Sequence, residues 1–484
     1  MALPRQQPPL WAQPVAQRPP RLWTALPFTA AFILLFDIGI LTSFTALVLL
    51  LPLAYWRPTR LAYRRVGKKA FGGLLVLVVQ LFSPTELVLT AGEGVAHDKW
   101  VEKDAEGTVS KVLLPAKGIW ISNHTTLADW LYLWSFTYLS SHSPSLYIAL
   151  KSSLRRIPII GWSIKMLGFV FLERNWARDA KPFARQLRQI GEETNRGGID
   201  EKLALLLFPE GTIVTENTRA ASKRFAEKTK ISDFEHLLLP RSTGLFSALR
   251  HLAVTVPTLT LIDLTLAYPL PRTSATSPSQ RPPIYASDYY TLPSILLSHV
   301  PPPELHLHVR AFPLAAIPLG DLSRLRGGAL DDEGSAEEKA AFERWLRERW
   351  TEKEQLLARY RTEGSFVPAR ASKPETARHG TKEEEEDDDD EGRRPGEHVW
   401  PIRLRHPFVW EALAAFCFFL PFLAVFYLWQ HRVIALEALK YVAAWVGLGG
   451  GAVAGTAKAA KSCGCGKMAG QAAATAAQKL AGEL

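Results

Sequence analysis

A histidine and an aspartate at a fixed spacing are the strongest candidates for chemistry in this chain. Asn123 and His124 come shortly after the apolar run 118–120, and Asp129 comes five residues after the histidine. A strand that ends here and turns into a helix would bring Asp129 back beneath the imidazole about one helical turn later. The carboxylate would then fix the imidazole tautomer, and the free ring nitrogen could take a proton from a hydroxyl nucleophile. Taken alone, the same spacing also suits a structural histidine at a strand end.

A second polar cluster follows another apolar run. Residues 203–208 indicate a fully buried strand, which leads directly into Pro209, Glu210, Gly211 and Thr212. In open α/β sheets, ligands bind outside the carboxyl ends of the strands. The carboxylate and the glycine of this turn are therefore placed where a ligand would be expected.

A single arginine, Arg174, ends the apolar run 168–172. A guanidinium at such a strand end is suited to grip a phosphate through two parallel hydrogen bonds. An ion pair with Glu173 or another neighbour is the structural alternative. The residue type and place therefore allow, but do not require, a phosphate-binding role.

Four blocks of the sequence, in this order, resemble the glycerophospholipid acyltransferase family, whose members acylate lysophosphatidic acid and related lysophospholipids. The resemblance covers roughly residues 25–365. It implies transfer of a fatty acyl chain from acyl-CoA to a lysophospholipid hydroxyl. The four blocks are Asn123-His124 with Asp129 after four further residues, Ile157-Pro158 through to Arg174, Phe208-Pro209-Glu210-Gly211-Thr212, and Leu238-Leu239-Pro240-Arg241.

The resemblance also implies a role for each residue of these blocks. His124 would be the general base, and Asp129 would orient it. No bound cofactor or metal is implied, because acyl-CoA is a co-substrate. The phosphate and glycerol of the acceptor would be held by Asn123, Arg174, Pro209, Glu210, Gly211, Thr212 and Arg241.

The third block departs from one common form of the family pattern. Many lysophosphatidic acid acyltransferases carry an arginine directly after Glu-Gly-Thr, whereas this chain has Ile213. The longer sequence around it is similar to the lysocardiolipin and lysophosphatidylinositol acyltransferase branch, which also lacks that arginine. The expected acceptor is therefore lysophosphatidylinositol or a lysocardiolipin-like lipid. A true lysophosphatidic acid acyltransferase is the alternative, in which Arg241, Lys223 or Arg219 would replace the missing cation.

The composition favours a membrane protein with a globular part. Hydrophobic residues make up 47% of the 484 residues and charged residues only 21%. The formal charge is +10 despite a run of nine acidic residues at 383–391. The sequence contains no nucleic-acid-binding module, so this basic surplus indicates anionic lipid as the partner. Three cysteines suit a reducing compartment, and Cys463 and Cys465 lack the second pair that a zinc site would need.

Charge around the first apolar stretch predicts the membrane topology. Residues 22–56 contain one charge, Asp37, and are long enough to cross a bilayer. Three arginines precede this stretch and six basic residues follow it within 57–69, which places the following chain in the cytosol. The shorter stretch 71–85 contains Gly72 and Gly73 and is expected to be a re-entrant or interfacial helix. The endoplasmic reticulum is the expected membrane.

Apolar strands that alternate with helices predict an α/β domain with a mostly parallel sheet flanked by helices. N-terminal membrane helices and a C-terminal transmembrane hairpin are expected to flank it. The periodicity of 337–361 predicts a helix packed on the domain rather than a membrane-surface helix. The predicted strands are 118–122, 145–150, 168–172, 204–208, 237–239, 258–267 and 304–311, with a helix at 177–194.

The predicted boundaries divide the chain into seven parts. The N-terminal part is a disordered Pro-rich segment, and a tail ends the chain. A non-catalytic membrane-shaping or tethering protein is the remote alternative to an enzyme, and no Gly-x-Ser-x-Gly elbow of a serine hydrolase is present. The parts are 1–20 (disordered), 21–90 (membrane helices), 91–325 (catalytic), 326–365 (amphipathic helix), 366–400 (acidic linker), 401–457 (membrane segments) and 458–484 (tail).

Overall fold

The chain forms two compact units, each assembled from separate stretches of sequence. The first contains Met1–Leu22, Ser83–Trp130 and Leu207–Ile402, and the second contains Trp23–Phe82, Leu131–Leu206 and Arg403–Leu484. Each unit is therefore interrupted by the other in sequence. The computed structural model of the protein describes residues 8–19, 22–55, 59–97, 99–196, 201–271, 284–330, 332–368, 393–405 and 408–416.

Strands and helices alternate through most of the described sequence. The strands are β1 (Glu86–Ala91), β2 (Val101–Lys103), β3 (Val109–Val112), β4 (Lys117–Ser122), β5 (Leu146–Lys151), β6 (Val170–Leu172), β7 (Leu203–Leu207), β8 (Thr260–Ala267), β9 (Glu304–Pro313) and β10 (Glu397–Pro401). The helices are α1 (Leu22–Leu49), α2 (Leu51–Tyr55), α3 (Arg60–Phe82), α4 (Asp129–Leu139), α5 (Ile160–Met166), α6 (Trp176–Arg196), α7 (Glu216–Thr229), α8 (Ser242–Thr255), α9 (Ala286–Tyr289), α10 (Leu292–Leu296), α11 (Ser323–Arg326), α12 (Ala336–Glu363) and α13 (Phe408–Ala415).

The first unit is built on strands in the order β10-β1-β9-β8-β4. β1 runs parallel to β9 and β4 runs parallel to β8, whereas β8 and β9 are antiparallel, as are β1 and β10. Every residue of β4 is buried, because both faces of this part of the sheet are covered and its side chains are shielded from water. β2 and β3 form a separate antiparallel pair.

Helix α12 covers the sheet of the first unit by packing on α8 and β8. Its apolar residues Phe342, Leu346, Trp350, Leu357 and Tyr360 are all buried, as their helical spacing requires of one packed face. The prediction of a helix packed on the domain is confirmed.

The second unit contains the strand order β7-β5-β6, in which both pairings are parallel. Within the two units of the described chain, four of these six strand pairings are parallel. The α/β class with a mostly parallel sheet and helices is therefore confirmed.

Helix α3 contains most of the stretch 71–85. It runs unbroken through Gly72 and Gly73, and residues 74–79 are all buried. A Cβ at Gly72 would lie 2.0 Å from the hydroxyl oxygen of Ser143, which accepts a 2.9 Å hydrogen bond from the Trp134 indole. The glycine allows this close packing within the second unit, and the expected re-entrant or interfacial placement of the segment stays a prediction.

One predicted strand is wrong. Residues 237–239 have no regular structure, because side chains of α7 satisfy their backbone groups in place of a neighbouring strand. The Arg219 guanidinium donates to the Leu237 carbonyl at 2.8 Å and also to the Phe234 carbonyl, and the Ser222 hydroxyl accepts from the Leu239 N–H at 3.4 Å.

The predicted boundaries do not coincide with the two units. β10 lies at the end of the segment predicted to be an acidic linker, and β1 lies in the segment predicted to be membrane helices. Within the described chain, residues 26–49 form the one helix long and apolar enough to cross a bilayer. The part of the predicted C-terminal hairpin that follows Phe416 lies outside the described residues.

Candidate active site

Asn123 fixes the end of β4 in the first unit. Its side-chain NH₂ donates to the Leu266 carbonyl at 2.9 Å, and its side-chain oxygen accepts from the Leu266 N–H at 2.8 Å. This pair of bonds ties the chain beyond β4 to the neighbouring strand β8. Asn123 is fully buried and both ends of its amide are used, which differs from the predicted contact with substrate.

His124 and Asp129 meet as their spacing predicts. Nδ1 of His124 lies 2.9 Å from Oδ2 of Asp129, which is the first residue of α4. The imidazole stacks on the Phe208 ring, with the two centroids 4.2 Å apart, and its side chain is 17% exposed. The protonated Nδ1 donates a hydrogen bond to the carboxylate. Nε2 is therefore the ring nitrogen that can accept a proton.

The Asp129 carboxylate is held by several donors besides the histidine. It is completely buried and accepts backbone hydrogen bonds from Thr125 at 2.7 Å and Thr126 at 3.1 Å. The Tyr268 hydroxyl donates to Oδ1 at 2.7 Å. The N-terminal end of α4 adds the favourable field of a helix dipole. These contacts leave the carboxylate a single orientation, facing Nδ1 of His124.

The Glu-Gly-Thr turn lies beside this pair. Gly211 has a φ of +73°, a conformation that a residue with a side chain rarely adopts, and its N–H donates to the Phe208 carbonyl at 3.0 Å. The Val214 N–H donates to the His124 carbonyl at 3.0 Å, which joins the turn to the His-Asp loop. The structure thus brings the first and third sequence blocks together.

Arg241, from the fourth block, lies against the same turn. Its N–H donates to the Pro209 carbonyl at 2.8 Å, and its guanidinium carbon would be 3.7 Å from a Cβ at Gly211. The side chain is exposed, so its charge is available to an anion at the turn. Three of the four blocks therefore converge on one place in the first unit.

Glu210 is the unusual group of this turn. It is 2% exposed, and neither carboxyl oxygen has a hydrogen bond within the described part of the chain. Burial raises the pKa of the Glu210 carboxyl well above its ordinary value, while the charge of Lys353 and the nearby N–H groups of His124 and Leu238 lower it by less. The shift favours a neutral acid, which would donate a hydrogen bond and would not repel a phosphate.

Arg174 belongs to the second unit. It follows β6 with a φ of +63° and an exposed side chain. The turn that carries it is held by Asp179, which accepts from the N–H of Glu173 at 2.8 Å and of Asn175 at 3.1 Å. Glu173 forms its ion pair with Arg178, at 3.6 Å, and Arg174 forms no ion pair with any residue that the structure describes.

Sequence patterns do not reveal two members of this site. Tyr268 contacts Asp129 from 139 residues away, and Lys353 reaches the site only through the charge that it places near Glu210. Tyr268 could have been suspected from its position directly after β8, because β8 pairs with β4 and the ends of the two strands lie side by side. In the described residues, no group of three or more His, Cys, Asp or Glu side chains could hold a metal ion.

Comparisons with known proteins agree on one family. The family model named Acyltransferase matches residues 108–262. A Schizosaccharomyces pombe protein named as an uncharacterized acyltransferase is 31% identical over 338 residues, which cover 69% of this chain and 85% of that protein. Lysocardiolipin acyltransferase 1 of Danio rerio is 29% identical over 399 residues, covering 79% of this chain and 87% of the relative.

Two further comparisons concern an enzyme and a crystal structure. The 2-acyl-1-lysophosphatidylinositol acyltransferase of Saccharomyces cerevisiae is 31% identical over 290 residues, covering 54% of this chain and 65% of that enzyme. The crystal structure of the 1-acyl-sn-glycerophosphate acyltransferase PlsC from Thermotoga maritima aligns with a TM-score of 0.33 and 15% identity, covering 68% of this chain and 96% of that one.

Proposed function

Because the chain belongs to the glycerophospholipid acyltransferase family, we propose that it moves an acyl chain from acyl-CoA to a lysophospholipid hydroxyl. The observation that carries this proposal is the His124–Asp129 pair, with 2.9 Å between Nδ1 and Oδ2. Lysophosphatidylinositol or a lysocardiolipin-like lipid is the proposed acceptor. Relatives named after those two acceptors support the choice.

The reaction needs one base and no acyl-enzyme. Nε2 of His124 takes the proton of the acceptor hydroxyl as the oxygen attacks the thioester carbonyl of acyl-CoA. Asp129 stabilises the imidazolium that forms. The tetrahedral intermediate then collapses by breaking the carbon–sulfur bond, and the CoA sulfur takes the proton back from His124. The products are the diacyl lipid and free CoA.

The acceptor's phosphate and glycerol are assigned to the Glu-Gly-Thr turn. Arg241 and the Thr212 N–H would face the phosphate, and Arg174 keeps the phosphate-binding role that the family resemblance implies. Glu210, as a neutral acid, would donate to a glycerol or headgroup oxygen. The intact His124–Asp129 geometry argues against the alternative of a non-catalytic tethering protein.

Substitution of the base is the direct test of this function. We expect His124→Ala to lower turnover by about 10²–10⁴ while the protein stays folded and membrane-bound, because a general base contributes about that much. Asp129→Asn should also be costly, since it leaves the imidazole in the wrong tautomer. His97→Ala, at an exposed histidine, is the matched control and should keep full turnover. Near-normal turnover of His124→Ala would overturn the mechanism.

Ile213 provides the test of the acceptor. A charge-assisted hydrogen bond contributes about 1.5–3 kcal/mol, and a small phosphomonoester depends on such a contact more than a phosphodiester with a large headgroup. We therefore expect the wild type to use lysophosphatidylinositol more efficiently than lysophosphatidic acid, and Ile213→Arg to move the ratio of kcat/KM values toward lysophosphatidic acid. Ile213→Gln is the uncharged control. A wild type that clearly prefers lysophosphatidic acid supports the alternative acceptor instead.

The proposed orientation places residues 57–407 in the cytosol at the endoplasmic reticulum, where acyl-CoA is available. It is supported by the six basic residues that follow the first apolar stretch. Protease added outside sealed microsomes should cut the acidic run 383–391. Protection of that run would contradict the orientation without bearing on the chemistry.

A further inference from the structure

A short segment of the second unit exposes basic and apolar side chains together. It comprises the 3-10 helix Ser152–Arg156 and helix α5, residues 152–166, and contains no aspartate or glutamate. We name the six side chains involved the docking patch. They are the basic residues Arg155, Arg156 and Lys165, all exposed, and the apolar residues Ile157, Ile160 and Trp162, which are 41%, 41% and 51% exposed.

The backbone that presents the docking patch is tightly turned and strained. Ile159 has a φ of +61°, which is rare for a β-branched residue and strains the turn. The turn closes tightly, since a Cβ at Gly161 would lie 2.4 Å from the Leu154 carbonyl oxygen. The Ser163 hydroxyl donates to the Ile159 carbonyl at 2.8 Å. Strain that persists in a turn pointing apolar side chains toward solvent indicates a binding role.

The docking patch lies beside the end of the apolar helix α1. The Trp162 ring is 6.1 Å from the Phe44 ring of α1. The Tyr63 hydroxyl donates to the Leu47 carbonyl of α1 at 2.9 Å and lies 3.6 Å from the sulfur of Met166 in α5. Residues 26–49 are apolar enough to cross a bilayer. The patch is thus fixed at the end of that stretch, where lipid tails give way to headgroups.

The chemistry of the docking patch matches that boundary. Tryptophan is enriched at the membrane–water interface, and arginine and lysine bury their stems while their charged ends reach headgroups. The Arg155 guanidinium lies 4.9 Å above the Phe171 ring, and no ion pair to an acidic group is formed by Arg155, Arg156 or Lys165 in the described chain. Basic side chains near an anionic membrane surface each strengthen binding about fivefold.

We propose that the docking patch is a second membrane contact, in which Ile157, Ile160 and Trp162 enter the lipid interface and the three basic side chains bind anionic headgroups. It would hold the second unit against the bilayer at a point beyond α1. This membrane contact does not depend on the acyl transfer, so it can be present or absent independently of the proposed function.

Reagent accessibility tests the contact in the full chain. The native cysteines are replaced by serine, and a cysteine is introduced as Ile160→Cys or, as a control, as Leu113→Cys. The two parent side chains are almost equally exposed, at 41% and 43%. In phosphatidylcholine vesicles containing phosphatidylserine, a charged maleimide should react with Ile160→Cys at least about tenfold more slowly than with Leu113→Cys. Equal rates would overturn the proposal.

Removing charge tests the choice of anionic lipid. Arg155→Gln combined with Arg156→Gln should reduce the protection of Ile160→Cys by at least about fivefold in vesicles with phosphatidylserine. Lys181→Gln combined with Arg185→Gln removes two exposed charges from α6 of the same unit and should leave the protection unchanged. An arginine variant that keeps full protection would overturn the proposal, and a raised KM for acyl-CoA would then assign these arginines to the CoA phosphates.

Discussion

Tyr268 is the residue that the structure adds to the predicted pair. It is buried, donates to Oδ1 of Asp129 at 2.7 Å and accepts from the Thr126 hydroxyl at 3.0 Å. Its ring lies 5.3 Å from that of Tyr290, whose hydroxyl bonds the Pro269 carbonyl at 2.7 Å. It does not face the reacting atoms, so it acts as a positioning residue through Asp129.

Loss of the Tyr268 hydroxyl should therefore affect catalysis more than binding. A hydrogen bond to a charged group is worth about 1.5–3 kcal/mol, so Tyr268→Phe should lower kcat at least about tenfold while the KM for the acceptor changes less than about twofold. The acid limb of the pH–rate profile should also move, because the hydroxyl contacts the partner of the base. Tyr290→Phe removes a hydroxyl from the adjacent ring and should leave kcat and the profile unchanged. If Tyr268 has only a structural role, Tyr268→Phe would lower the stability of the protein and leave the pH–rate profile unaltered.

For single residues, the sequence predicts contacts only between positions that are close together along the chain. His124 and Asp129 could be paired because a strand end and the first turn of a helix fix the distance between them. Tyr268 could not, since only the β4–β8 pairing brings it to Asp129. The high pKa of the Glu210 carboxyl was equally hidden, because it follows from burial.

Helix α12 is attached to the sheet by a buried charge network as well as by apolar packing. The Lys353 ammonium donates to Oδ1 of Asp263 in β8 at 2.6 Å, and both side chains are fully buried. The Arg310 guanidinium from β9 contacts the other carboxylate oxygen. Burial alone would raise the pKa of the Asp263 carboxyl, but the charges of Lys353 and Arg310 together hold it below its ordinary value.

Breaking this network should destabilise the first unit strongly. Lys353→Met leaves Asp263 buried with less compensation, and the loss of one partner of a buried pair costs about 3–5 kcal/mol. Glu352→Gln removes a neighbouring charge that pairs with Arg310 but is 37% exposed, so it should cost less than about 1 kcal/mol. Urea unfolding of the two variants measures the difference. Equal midpoints would show that apolar packing alone attaches the helix.

Sequence periodicity predicted the strands and helices better than it predicted buried contacts such as that between Lys353 and Asp263. The apolar runs for β4, β7 and β8 were found because strands covered on both faces are apolar throughout. β1 and β10 were missed, since their neighbours in sequence are a helix and an acidic segment. Lys353 lies on the buried face of α12, where an amphipathic pattern does not predict a charge.

Stability of the whole protein should depend on pH through His308 of β9. Burial, with the charge of Arg310, lowers the pKa of His308 from 6.5 to about 4, and the Thr90 hydroxyl lies 2.9 Å from Nδ1. The unfolded chain takes up the proton near pH 6.5 and the folded chain only near pH 4. The folded state therefore loses stability as the pH falls between these values, by on the order of 3 kcal/mol in all.

We expect His308→Gln to flatten this part of the stability profile. The free energy of unfolding of the variant should change less than that of the wild type between pH 6.5 and pH 4, because no buried imidazole then has to be protonated. His299→Asn, at an exposed histidine that is not among the groups lowering the pKa of His308, should keep the wild-type slope. A variant with the wild-type slope would assign the acid sensitivity to other groups.

The pairing of β10 with β1 also sets the order in which the protein can be completed. β1 begins at Glu86, but the strand that covers its outer edge ends at Pro401. At about 5–20 residues per second, the ribosome needs on the order of 15–60 s to make the chain between them. During that time β1 has an unpaired edge that can join strands of other chains. Nascent chains stalled before β10 should therefore be the form of this protein that depends most on chaperones.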